Sequence, residues 1–166
     1  MSVRSVNLRW LWLALAVVLL DQGTKELAEA YLTRHQPVAV APHLNLTLTY
    51  NTGAAFSFLR EAGGWKRWLL SGVALGVGAV IAVWLWRLPP RSHWLACALT
   101  LVLGGATGNL LDRLFRPGGG VVDFVDLYYG DWHWPAFNVA DSAISVGAVM
   151  LLVTAFQHPE RGETTD

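Results

Sequence analysis

The sequence predicts an all-α membrane protein: four transmembrane helices, a small extramembrane β element and a short loop/helix segment on the same outer side. Three observations lead there. Hydrophobic residues make up 54% of the 166 positions and charged residues only 14%, a composition far from that of a water-soluble domain. Long stretches carry no charge at all, and about 20 apolar residues suffice for a helix to cross the hydrocarbon core. One outer stretch, HLNLTLTY, alternates apolar and polar residues with the period of a strand. Twelve basic and twelve acidic residues cancel, so no net field argues for nucleic acid as a partner. The single Cys97 excludes an intrachain disulfide and a multi-cysteine metal site.

The elements follow in order. Trp10 to Leu20 is apolar and preceded by Arg4 and Arg9, the pattern of a signal-peptide core. Apolar character resumes after Asp21 at Leu27, Ala28, Ala30 and Tyr31, which predicts instead an uncleaved helix over about 10–30, with Asp21 and Lys25 one turn apart. The segment 33–66 is the longest non-spanning stretch and holds the strand, whose face of Leu44, Leu46, Leu48 and Tyr50 must cover the bilayer, a greasy substrate or the protein's own helices. The charge-free run 68–86 is the second span, with Gly72 and Gly76 in the spacing that lets helices approach closely. The third, over 94–112, carries Gly104 and Gly108 in the same spacing. In the outer loop 113–137, PGGG is a permissive turn leading into a short β-like VVDFV. The fourth span, 138–157, is apolar from Val139 to Phe156 apart from Asp141, Ser142, Ser145 and Thr154. All of this belongs to one integral membrane domain, 1–166.

Four spans place both termini on one side. A raw count of Lys and Arg opposes a cytoplasmic assignment, but the short connection RLPPRSH carries two Arg and no acid, and this density places the termini in the cytoplasm. All nine Trp fall near span ends or in the outer loops, as an aromatic belt does.

Ionisable groups at membrane depth are costly and each is a functional hypothesis. Asp21 and Lys25 in DQGTK have the spacing of an ion pair; Asn109, Asp112 and Arg113 in GGATGNLLDR repeat the pattern, Asn109 and Arg113 sharing a face, with Arg113 expected to pair with an acid; Asn51 sits in the Gly/Ala-rich YNTGAAFSFL. Asn138 and Asp141 have the spacing of a helix N-cap and its N3 acid, and Ser142 and Ser145 continue that polar stripe inward. His43 and His133 lack the paired spacing of a zinc site, and the serines show no evident His or Lys base. Carboxylates at the surface remain, among Asp123, Asp126, Asp131 and Asp141. Two that share a proton, one activating water and one acidic toward a carbonyl, make an aspartic-protease pair that needs no metal and no cofactor. Spacing leaves open which two converge.

The ordered motifs DQGTK, YNTGAAFSFL, GGATGNLLDR, VVDF and FNVADSAISVG resemble those of the bacterial lipoprotein signal peptidases, the signal peptidase II family, over nearly the whole chain. The resemblance implies an aspartic endopeptidase of the inner membrane with both termini cytoplasmic, a β-cradle on the outer leaflet and a site at the periplasmic surface. It implies cleavage of diacylglyceryl-modified prolipoproteins before the lipidated cysteine, and sensitivity to globomycin-like cyclic peptides. By the same resemblance Asp123 and Asp141 are the catalytic pair, and Asp21, Lys25, Asn51, Gly105, Asn109, Arg113 and Asn138 line or brace the pocket. No metal or cofactor is implied; the partners are prolipoproteins and membrane lipid, and the chain is expected to act as a monomer. The triple glycine and the extra Asp126 depart from the family pattern. Two rival readings stand beside this one. A transporter subunit accounts for Asp21 and Lys25 but poorly for acids clustered at one surface, and a non-catalytic assembly protein would tolerate loss of both dyad carboxylates.

Overall fold

A computed structural model describes residues 8–53 and 64–157. Most of the YNTGAAFSFL motif, together with Arg4, Arg60 and Arg161, lies outside the described residues. Four long helices form the body: α1 Leu11–Tyr31, α2 Trp65–Arg87, α3 His93–Phe115 and α4 Val139–Gln157. Three of them, α2, α3 and α4, are long and apolar enough to cross a membrane. The C-terminal half of α1 carries Asp21, Lys25, Glu26 and Glu29, which lowers its hydropathy below that of the others.

The buried residues of α1, namely Ala14, Val17, Asp21, Lys25 and Ala28, recur every three or four positions and so share one face. Its other side exposes Leu15, Leu19, Leu20 and Leu27, a surface suited to hydrocarbon. The central helix is α3, which contacts all three others. Glycines make this possible: a Cβ on Gly104 would lie 2.9 Å from the Ala14 carbonyl oxygen of α1, and one on Gly105 would strike the Ala140 carbonyl of α4. Gly72 and Gly76 behave otherwise than the sequence predicts. A Cβ at either would meet nothing within 4 Å among the described residues, because α2 turns its Ser71, Ile81 and Leu85 side inward.

At one end of the bundle sits a four-stranded antiparallel sheet, β1 Val38–Ala41, β2 Leu44–Asn51, β3 Val121–Tyr129 and β4 Trp132–His133, in that order. The two outer segments thus merge, and the short β-like stretch expected at VVDFV is a nine-residue strand. The turn before it uses Gly118 at φ 73° and Gly119 at φ 67°, values that glycine adopts without a Cβ penalty. Between Leu46 and Thr49 the β2 chain takes three steps against two on β3, a bulge that resets which side chains face which way. The alternation also packs contrary to a simple apolar-in rule. Asn45 and Thr47 are buried while Leu44 and Leu46 are only half-buried, because the Asn45 amide donates to Asp126 at 3.0 Å across the pair.

Candidate active site

Asp123 lies mid-strand on β3 and is 2% exposed. Asp141 lies in the first turn of α4 and is half-buried. The start of α4 brings them together. Asn138 precedes the helix; its Oδ1 accepts the Asp141 amide at 2.8 Å, and the Asp141 carboxylate accepts the Asn138 amide at 3.3 Å. That reciprocal pair is a capping box. The cap has a second use, since the Asn138 side-chain amide donates to Asp123 Oδ1 at 2.7 Å, to the Val122 carbonyl at 3.1 Å and to Asn109 Oδ1 at 3.2 Å. Asn109 in turn donates to Asp141 Oδ1 at 2.7 Å. Each carboxyl is therefore held by an asparagine, and the two asparagines are joined.

Asn51, at the end of β2, also hydrogen-bonds Asp123, while its Oδ1 accepts the Gly53 amide at 2.9 Å. Burial first, then the charge of Asp141, pushes the Asp123 carboxyl up to about 7, against the opposing pull of the Asn51 and Asn138 amides and of Lys25. Arg113 is half-buried within electrostatic reach of Asp141, Asp112 and Asp123. Its hydrogen bond runs to the Asn109 carbonyl at 3.3 Å, and among the described residues it forms no ion pair. The expected pairing with an acid is therefore not formed among the described residues, and a 100° step around the helix carries the adjacent Asp112 into a different environment.

That environment is a buried ionic cluster under the dyad. Lys25 is fully buried and donates to Asp21 Oδ2 at 2.8 Å, Asp112 Oδ2 at 2.8 Å and Asn109 Oδ1 at 2.9 Å, which uses all three ammonium protons. Asp21 Oδ1 accepts the Ala140 amide at 2.9 Å, so α1 helps to cap α4 beside Asp141. Asp112 Oδ2 accepts the Val122 amide at 3.1 Å, beside Asp123. Gln22 donates to Asp21, Asp112 and the Gly108 carbonyl, each at 3.1 Å. Gln22 and Arg116 were not among the sequence candidates, and Asp112 was singled out only as a polar neighbour of Asn109 and Arg113. Asp112 had a usable signal, three residues after Asn109 in NLLDR; Gln22 and Arg116 had none beyond adjacency to a motif.

Gly105 belongs to the helix contact that seats the first turn of α4 rather than to the site surface. Asp126 is buried but faces away from the dyad, held by Asn45 and by His133 Nδ1 at 2.8 Å; Asp131 is exposed. Two clefts lie at this end of the bundle, one reaching Arg113 and the other Asp141. One, of about 690 Å³, is lined by Arg113, Thr52, Arg67, Trp68 and Gly119; the other, of about 510 Å³, by Asp141, Ser142, Ser145, Trp134 and Phe137. Among the described residues no group of three or more His, Cys, Asp or Glu is placed to hold a metal ion.

The family model described as Signal peptidase (SPase) II matches residues 13–157. The chain is 50% identical over 159 residues to the lipoprotein signal peptidase of Hydrogenovibrio crunogenus, covering 93% of this chain and 91% of the relative. It is 51% identical to that of Pseudomonas paraeruginosa, covering 95% and 93%. Its fold is similar to a bacterial membrane enzyme solved by the in meso method at 1.9 Å, with a TM-score of 0.80, 27% identity and coverage of 91% and 94%. With its apolar helices and a match spanning nearly the whole chain, this protein belongs to the signal peptidase II family, aspartic peptidases that remove signal peptides in lipoprotein maturation.

Proposed function

We propose that Asp123 and Asp141 are the catalytic dyad of an endopeptidase that cuts diacylglyceryl-modified prolipoproteins immediately before the lipidated cysteine. The observation that carries this reading is the pairing of a deeply buried Asp123, pushed up to about 7 by burial and by Asp141, with Asp141 through the linked amides of Asn138 and Asn109. Two like charges at short range do not both ionise easily, and we assign the shared proton to Asp123, the more deeply buried of the two carboxyls.

Water between the carboxyls gives a proton to Asp141 and attacks the scissile carbonyl carbon, while Asp123 protonates the carbonyl oxygen. The tetrahedral species collapses as the C–N bond breaks. The leaving amine takes the proton from Asp141, and the hydroxyl derived from the carbonyl returns its proton to Asp123, which restores the pair. Asn51 and Asn138 orient the Asp123 carboxyl, Arg113 supplies positive potential for the developing oxyanion, and Asp21, Lys25 and Asn109 brace the ends of the elements that carry the dyad. Gly105 keeps α4 close enough to α3 for this geometry. The two clefts offer room for peptide on one side and lipid on the other.

In this reading α1 is a fourth span, the chain is a single integral domain of the inner membrane with both termini cytoplasmic, and the sheet rests on the outer leaflet at the periplasmic surface. It acts as a monomer and is blocked by globomycin-like cyclic peptides. The test incubates purified protein in detergent with a diacylglyceryl-modified prolipoprotein and follows cleavage by gel shift, with EDTA and globomycin arms. Cleavage that survives EDTA, stops with globomycin and is lost in folded Asp123→Asn and Asp141→Asn supports the dyad. Wild-type rates in either folded variant reject it.

A further inference from the structure

The rung of the sheet next to the dyad is tied into a closed ring of polar contacts that nothing in the chemistry above uses. Tyr50 on β2 pairs with Val122 on β3. The Tyr50 hydroxyl donates to Glu29 Oε1 at 2.8 Å, and Glu29 Oε2 accepts from the Arg116 guanidinium. Arg116 Nε donates to Asp112 Oδ1 at 2.9 Å, and Asp112 Oδ2 accepts the Val122 amide at 3.1 Å. The ring returns to the rung on which it began. It joins α1, the end of α3 and both central strands, and Arg34 lies over the Tyr50 ring at 5.3 Å.

The residues next along each strand are Asn51 and Asp123, and these hydrogen-bond to one another. Because side chains alternate across a strand, Tyr50 and Val122 project to one face while Asn51, Val121 and Asp123 project to the other. The ring therefore grips the sheet from behind the reacting groups. Its central cation is 12% exposed and its Asp112 partner is fully buried, so these contacts are little screened, whereas the Arg116 contact to Glu26 reaches a carboxylate that is 70% exposed and contributes little.

We infer that Arg116, Glu29 and Tyr50 are positioning residues: an ionic clamp that sets the Tyr50–Val122 rung and thereby aims Asp123 and Asn51 at the scissile bond. The inference rests on the peptidase reading, since aim matters only where Asp123 reacts. None of the three touches substrate. A small displacement of a catalytic carboxyl lowers the rate of the chemical step far more than it alters ground-state binding.

The experiment measures kcat and KM of full-length protein on a diacylglyceryl-modified prolipoprotein for Tyr50→Phe, Arg116→Gln, Arg116→Lys, the Tyr50→Phe/Arg116→Gln double variant and Glu26→Gln, with thermal midpoints alongside. Expected are a roughly tenfold lower kcat for Tyr50→Phe and a larger loss for Arg116→Gln, with KM within about twofold in each. Arg116→Lys recovers part of the loss, and Glu26→Gln stays at the wild-type rate. The double variant resembles Arg116→Gln alone, because both changes open one ring. Unchanged kcat in folded Tyr50→Phe and Arg116→Gln, or losses that simply multiply, overturns the clamp.

A substrate-free measurement separates this from failure of the peptidase reading. The Val122 amide and Asp123 carboxyl chemical shifts are compared between wild type and Tyr50→Phe in micelles. Displacement of both supports the clamp whether or not wild type cleaves; identical shifts reject it.

Discussion

Asp123 and Asp126 stand three residues apart on one strand and both are buried, yet their surroundings drive them in opposite directions. Asp123 faces another carboxyl and receives neutral amides, and burial with the Asp141 charge pushes it up to about 7. Burial acts on Asp126 in the same upward sense, but the Asn45 amide and the His133 ring more than offset it and hold that carboxyl below the usual range. Burial alone therefore does not decide which way a carboxyl is shifted. The sign of the neighbouring charge decides whether a buried acid stores a proton or becomes a strut of the sheet.

The sharpest way to break this contrast is to neutralise each acid in turn. Asp123→Asn and Asp141→Asn are each expected to lower cleavage by at least about a thousandfold, while Asp126→Asn retains activity within a few-fold, as read from rates on the lipidated substrate. Equal losses at Asp123 and Asp126 would erase the distinction.

The cluster behind the dyad comes next. Lys25→Met leaves Asp21 and Asp112 facing each other without their shared cation, and is expected to cost about 3–5 kcal/mol, measured by denaturation in detergent. A loss below about 1 kcal/mol would show that the carboxyls find other partners.

The two aspartates also predict opposite pH dependences. A carboxyl raised in the folded state favours folding at low pH and loses that contribution as pH climbs from about 4 to about 7. Asp123→Asn is therefore expected to raise the thermal midpoint at pH 8, with little change at pH 4, and the wild-type kcat/KM should fall above about pH 7 as the shared proton leaves. For Asp126, lowered in the folded state, stability is present above about pH 4 and disappears on further acidification. Asp126→Asn should thus destabilise at neutral pH and not in strong acid.

The smallest effect belongs to the exposed partner. His133 is half-exposed, so His133→Asn is expected to cost at most about 1 kcal/mol, with no change in kcat.

Much of this molecule was readable without coordinates. Charge-free runs identify helices whatever packs against them, because the backbone of a span must satisfy its own hydrogen bonds. Five motifs in order were enough to place the chain in its family. Less was legible where a residue's meaning depends on its partners. Gly72–Gly76 and Gly104–Gly108 have identical spacing, yet among the described residues only the second pair meets neighbouring helices. Period two in HLNLTLTY identified a strand but not the bulge after Leu46, nor that Asn45 and Thr47 would be the buried side.

Local pattern by itself determined the helices, the strand and the capping relation between Asn138 and Asp141, since each depends on residues a few positions apart. Tertiary structure decided that β2 and β3 pair and that Lys25 takes Asp112 as well as Asp21, and it turns Asp123 rather than Asp126 toward Asp141, a choice that spacing left open. Those outcomes depend on contacts between residues tens of positions apart, and on the one-residue alternation of a strand, which turns neighbouring acids to opposite faces.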